Sequence, residues 1–133
     1  MTPALLYLAL ACAFTGLLWL PYVVDRLHVR GWADTLGYPE RPAPPSPWAR
    51  RLIGGHANAV ENLAVFAPLV LVAHAAQVDG TAVGTAAGVY FFARVVHAAA
   101  YTFAVPVVRT LAFAAGFAAQ AVIALRILAQ VFA

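Results

Sequence analysis

Glu61 and Arg94 stand in stretches of sequence built otherwise from alanine, valine, leucine and phenylalanine. Ionisable side chains at such positions are costly to bury and normally mark function. Around Glu61, the segment His56-Ala-Asn58-Ala-Val-Glu61-Asn62 adds two amides and an imidazole, and positions 58, 61 and 65 follow one helical face. Arg94, His97 and Tyr101 recur at i, i+3 and i+7, again along one face, and Arg109 follows a break at Pro106. The spacing predicts that Glu61 and Arg94 meet, with Asn58 and His97 at a shallower level and Tyr101 shallower still. Three cations or potential cations then face one carboxylate, more than a structural ion pair needs, and buried pairs seldom repay their desolvation. An excess of guanidinium forks suits an anionic ligand: a carboxylate held bidentately, or a stabilised thiolate or oxyanion. The alternative is a non-enzymatic protein or small transporter in which Glu61 and Arg94 are a structural or ion-coupling pair. No pair of histidines or carboxylates has metal-ligand spacing, so no metal is expected.

The elements that must position these residues are membrane helices. Of 133 residues, 64% are hydrophobic and 10% charged, too little polar surface to clothe a soluble domain of this size. Apolar spans of about 20 residues each are expected at about 3–24, 53–77, 80–103 and 107–131, with a polar, proline-rich loop at about 25–52. The predicted fold is all-α, one domain over 1–133, four transmembrane helices in an up-down bundle. At 1.5 Å per residue, Glu61 and Arg94 both lie roughly 12 to 13 Å from the loop side. All eight basic residues are arginine, and five fall between Arg26 and Arg51. That clustering places the first loop in the cytoplasm and both termini on the opposite side. The remaining arginines lie within or beside apolar spans, which argues against nucleic acid as a partner. Arg126 is read as an interfacial anchor. Gly80, Gly84 and Gly88 at four-residue spacing, with Ala112 and Gly116, permit close helix approach within the chain or between copies. Cys12 is the sole cysteine and is expected to be a packing residue. The all-arginine, alanine-rich composition hints at a bacterium with GC-rich DNA, hence an inner membrane.

Three segments carry a resemblance: His56-Ala-Asn58-Ala-Val-Glu61-Asn62 with Phe66, Arg94-Val-Val-His97-Ala-Ala-Ala-Tyr101, and Val-Pro-Val-Val-Arg109-Thr110. Together they resemble the MAPEG family, the membrane-associated proteins in eicosanoid and glutathione metabolism, over essentially the whole chain. The resemblance implies a homotrimer with glutathione held between neighbouring subunits. It implies that Asn58, Glu61, Arg94, His97 and Tyr101 contact this cofactor, with Glu61 suited to its amine. By the same likeness Arg109 stabilises the thiolate and Thr110 assists, in a transferase or peroxidase acting on lipophilic small molecules from the lipid. The chain departs from the family pattern where arginines two residues before and one after His56 are Gly54 and Ala57, and where a tyrosine four residues after Arg109 is Phe113. Arg30, Arg50 and Arg51 of the first loop are candidates to replace the missing cations.

Overall fold

Pro21 bends the first apolar helix. Its ring crowds the carbonyl of residue 17 and it lacks an N–H for that carbonyl, so α1 (Pro3–Leu17) passes through Leu18 into α2 (Trp19–Leu36). The computed structural model describes residues 1–78 and 80–130. Three further helices follow: α3 (Pro47–Ala75), α4 (Thr81–Thr102) and α5 (Pro106–Ala129). The α1–α2 unit, α3, α4 and α5 are the four segments long and apolar enough to cross a membrane. Proline opens α1, α3 and α5, where its missing N–H would be unsatisfied in any case. Thr2 caps α1 by accepting the Leu5 N–H at 3.4 Å.

The first two segments exceed their expected bounds on the loop side. Asp25 and Arg26, expected to end the first helix, lie inside α2, which runs on to a left-handed Gly31 at φ 77°. Asp25 is buried and its Oδ2 accepts the Ser46 N–H at 3.0 Å, which ties α2 to the start of α3. A carboxylate with that bond to make has no reason to break its helix. Helix α3 begins at Pro47 rather than Ile53. Its 29 residues extend roughly 43 Å, longer than the hydrocarbon core, so the turn carrying Trp48, Arg50 and Arg51 can project into the interface.

Helix α4 is central, packed against α1, α3 and α5. Its glycines make this possible: a β-carbon at Gly84 would stand 3.2 Å from Pro3 Cβ, and one at Gly88 3.0 Å from the Tyr7 ring. These small residues are therefore used within the chain, for contact with α1. The larger apolar cluster gathers Leu8, Phe66, Val70, Val83, Tyr90 and Ile123, with the Phe66 and Tyr90 rings stacked at 3.7 Å. A smaller cluster joins Leu18, Leu52, Ala59 and Ala98. Cys12 is exposed rather than packed.

Candidate functional site

Between the two apolar clusters lies a polar layer centred on Arg94, which is 3% exposed. Arg94 Nη1 donates to Asn58 Oδ1 at 3.2 Å, and Nη2 donates to the Phe113 carbonyl at 3.3 Å. Its Cζ lies 5.5 Å from the Tyr90 ring centroid and 5.3 Å from that of Phe113. Asn62 Nδ2 donates to the Asn58 carbonyl at 2.9 Å and to Asn58 Oδ1 at 3.3 Å, and Gln120 Nε2 donates to the Asn62 carbonyl at 2.9 Å. Three helices are thus joined through amides and one guanidinium. Gly116 makes the slot: a β-carbon there would lie 2.9 Å from Arg94 Nε and 3.0 Å from Cζ. Arg94 Nε is buried with no hydrogen-bond partner.

The expected contact of Glu61 with Arg94 is absent. Asn58 and Asn62, one turn apart, take the α4-facing side of α3. Glu61 stands one residue, about 100° of helix rotation, before Asn62, and is exposed. Among the described residues no arginine is ion-paired with an acid. The Arg94 charge is met only by neutral oxygens and aromatic faces.

A second group runs from the layer toward the end of the bundle that carries the arginine-rich loop. His97 is 4% exposed, with its ring 5.7 Å from Tyr101 and 6.0 Å from Phe113, and it has no hydrogen-bond partner among the described residues. Arg109 Cζ sits 5.0 Å over the Tyr101 ring. The ring rests on Gly54 and Gly55, where β-carbons would stand 3.2 Å from its hydroxyl and 3.4 Å from its Cβ. Gly54 thus gives up a side chain to the packing of Tyr101. Arg109 reaches Tyr101 through the tight α4–α5 turn, in which Ala104 adopts φ 59° and Val105 N–H returns to the Ala100 carbonyl at 2.8 Å. Thr110 is exposed, and its hydroxyl donates to the Pro106 carbonyl of its own helix at 2.9 Å.

Of the residues singled out in the sequence, the fold brings together Asn58, Arg94, His97, Tyr101 and Arg109. Glu61 and Thr110 stay outside that group. Gln120 and Tyr90 belong to the layer and escaped the sequence reading. A lone amide in an apolar span was the available signal for Gln120, and the i−4 position relative to Arg94 for Tyr90. His56 lies apart, its Nδ1 2.9 Å from the Tyr22 hydroxyl on α2.

Helices long and apolar enough to span a membrane, an unneutralised guanidinium buried among them and a second over Tyr101 mark a helical membrane protein with a polar interior. The MAPEG family model matches residues 4–129, nearly the entire chain, and the protein belongs to that family. Comparisons with curated proteins and with solved structures found no match.

Proposed function

We propose that this protein is a glutathione-dependent transferase or peroxidase of the membrane, built as a homotrimer, that activates the glutathione thiol for attack on lipophilic electrophiles. The observation that carries the reading is Arg94: buried, paired only with neutral groups, its Nε unsatisfied. A buried cation left in this state is costly, and an anionic ligand supplies the missing counter-charge. Its neighbours fit the same ligand. His97 has ring nitrogens free for a polar group, and Arg109 offers a guanidinium with no acid beside it.

Glu61 supports assembly. An exposed carboxylate on a membrane-spanning helix would face hydrocarbon in a lone subunit, which membrane proteins avoid by turning such groups toward protein or water. Covered by a second copy, Glu61 borders a shared cavity and can receive the glutathione ammonium, while Asn58, Arg94, His97 and Tyr101 hold carboxylate and amide groups. Arg109 stabilises the thiolate, since a nearby cation favours the charged form of a thiol. Thr110 adds a hydroxyl if its bond to Pro106 is exchanged. Glutathione supplies the chemistry itself, a sulfur nucleophile. Hydrophobic substrates reach it from the bilayer, which we take to be a bacterial inner membrane with the arginine-rich loop in the cytoplasm.

Titration of the detergent-solubilised protein with glutathione, read by thermal protection and by ultraviolet thiolate absorbance, tests this function. Saturable protection with a thiolate signal at neutral pH is the expected result. Absence of binding at millimolar glutathione would overturn it.

A further inference from the structure

Past Gly31 the chain folds back along α2. An uninterrupted helix would carry Thr35 roughly 13 Å beyond Arg26, yet the Thr35 hydroxyl donates to the Arg26 carbonyl at 3.2 Å. The reversal is made at Gly31, whose φ of 77° is a left-handed conformation that glycine adopts without penalty. Residues 32–36 therefore form a separate helical turn beside the last turn of α2. Arg26 follows Val24, the last residue of the first apolar stretch, by two positions, about 3 Å of helix. The returning turn consequently stands at the level of the lipid headgroups, a layer about 5 to 7 Å deep on each side of the hydrocarbon.

That turn is apolar where it meets its surroundings. Trp32 is 71% exposed and Leu36 76% exposed, and a spacing of four residues puts them on one side. Asp34, midway between them, falls on the opposite side. Just before the turn stands a fixed cation. Arg30 Nε donates to the Ala43 carbonyl at 2.6 Å, which ties the proline-rich return of the loop to α2 and orients the guanidinium end bearing the two Nη atoms. Neither Nη has a partner among the described residues. Five arginines against Asp34 and Glu40 leave the segment 26–51 cationic. A loop surrounded by water gains nothing from holding a tryptophan and a leucine outward. Exposed apolar side chains beside an unpaired guanidinium, at the depth of the phosphates, complement one surface, an anionic lipid leaflet.

We infer that the turn 32–36 and Arg30 form a binding site for an anionic phospholipid of the loop-side leaflet. Trp32 and Leu36 enter the boundary between headgroups and acyl chains, where an amphipathic indole is favoured. The Arg30 fork takes the lipid phosphate as a bidentate partner. Gly31 makes the site: on a straight α2, Trp32 would stand roughly 12 Å beyond Val24, clear of the headgroup layer. Glutathione plays no part in this contact, and Arg30, a sequence candidate for that ligand, is thereby assigned to lipid.

Two measurements on the full chain test the site. In nanodiscs of phosphatidylcholine brominated near the carbonyl end of its acyl chains, the emission of Trp32 is the difference between the native protein and Trp32→Ala. It is expected to be quenched more strongly by the bromine than by aqueous acrylamide. Stronger quenching by acrylamide would put the turn in water, quenching by neither would put it under protein, such as a second copy, and either result would overturn the site. In detergent, short-chain phosphatidylglycerol is compared with phosphatidylcholine of the same chain length, again with Trp32 emission as the readout. The native protein is expected to prefer the anionic lipid. Arg30→Gln, which can still donate to the Ala43 carbonyl, is expected to bind it roughly fivefold more weakly, with phosphatidylcholine binding unchanged. A native protein that does not distinguish the two lipids, or a variant that keeps the full preference, would overturn the site. If Arg30→Gln alters the gel-filtration profile, salt decides on the native protein. Its preference for phosphatidylglycerol should fall as ionic strength rises, and a constant preference would overturn the phosphate contact.

Discussion

Arg94 Nη1 and Asn58 Oδ1 are joined at 3.2 Å across the α3–α4 contact, and this bond fixes which face of α3 looks inward. A neutral amide occupies the place beside the guanidinium that a carboxylate would take in a structural ion pair. The pair is consequently satisfied in geometry and unsatisfied in charge.

Loss of the Asn58 amide should be felt through Arg94. Asn58→Leu leaves Nη1 buried without an acceptor, at an expected cost of about 1.5 to 3 kcal/mol. Arg94→Met alone should also destabilise, whereas the double variant should be less harmful than the sum. Unfolding in mixed micelles through a double-mutant cycle measures the coupling. Strict additivity would mean that the bond contributes nothing.

The slot at Gly116 gives a sharper steric expectation. Gly116→Ala puts a methyl group 2.9 Å from Arg94 Nε, so either the guanidinium leaves its two oxygens or α5 withdraws from α4. Overpacking of this kind costs roughly 1 to 3 kcal/mol. Gly84→Ala meets only Pro3, nearest at its Cβ 3.2 Å away, a looser approach than at Gly116, and should cost less. Equal thermal stabilities of the two variants would contradict the assignment.

The α4–α5 turn holds an alanine in the left-handed region, at φ 59°. Glycine has no penalty there, so Ala104→Gly should stabilise the protein by about 1 kcal/mol. Ligand affinity should stay as it was, because the substitution leaves the Val105 to Ala100 bond and the approach of Arg109 to Tyr101 in place. A lowered melting temperature would count against this account of the turn.

Removing Arg109 separates chemistry from architecture. Arg109→Leu should abolish the thiolate absorbance of the glutathione complex while the gel-filtration profile stays as it was, because the Arg109 guanidinium lies over the Tyr101 ring and, among the described residues, pairs with no acid. Persistence of the thiolate signal would move that role to another cation.

Orientation is open to direct labelling. With Cys12 replaced by alanine, a cysteine at the exposed position Ala43 should resist impermeant reagents added outside intact cells, since the arginine-rich segment is expected in the cytoplasm. Ready labelling would invert the topology.

The helical membrane class, the four apolar segments and most of the polar face of α4 are readable from the chain alone, because each depends on composition and on the 3.6-residue period, which are local. Arg94, His97 and Tyr101 were legible as one set for that reason. The partner of Arg94 was not. Periodicity says that Asn58 and Glu61 share a broad face of α3, yet a rotation of that helix by a few tens of degrees decides which of them meets α4 and which faces outward. That rotation is set by packing: Phe66 stacked on Tyr90, Gly116 under the guanidinium, Tyr101 on Gly54 and Gly55. The fold therefore placed the amide inside and the acid on the surface. It also drew in Gln120 from α5 and pinned Arg51 to Thr102, contacts between residues 58 and 51 positions apart that no local pattern encodes.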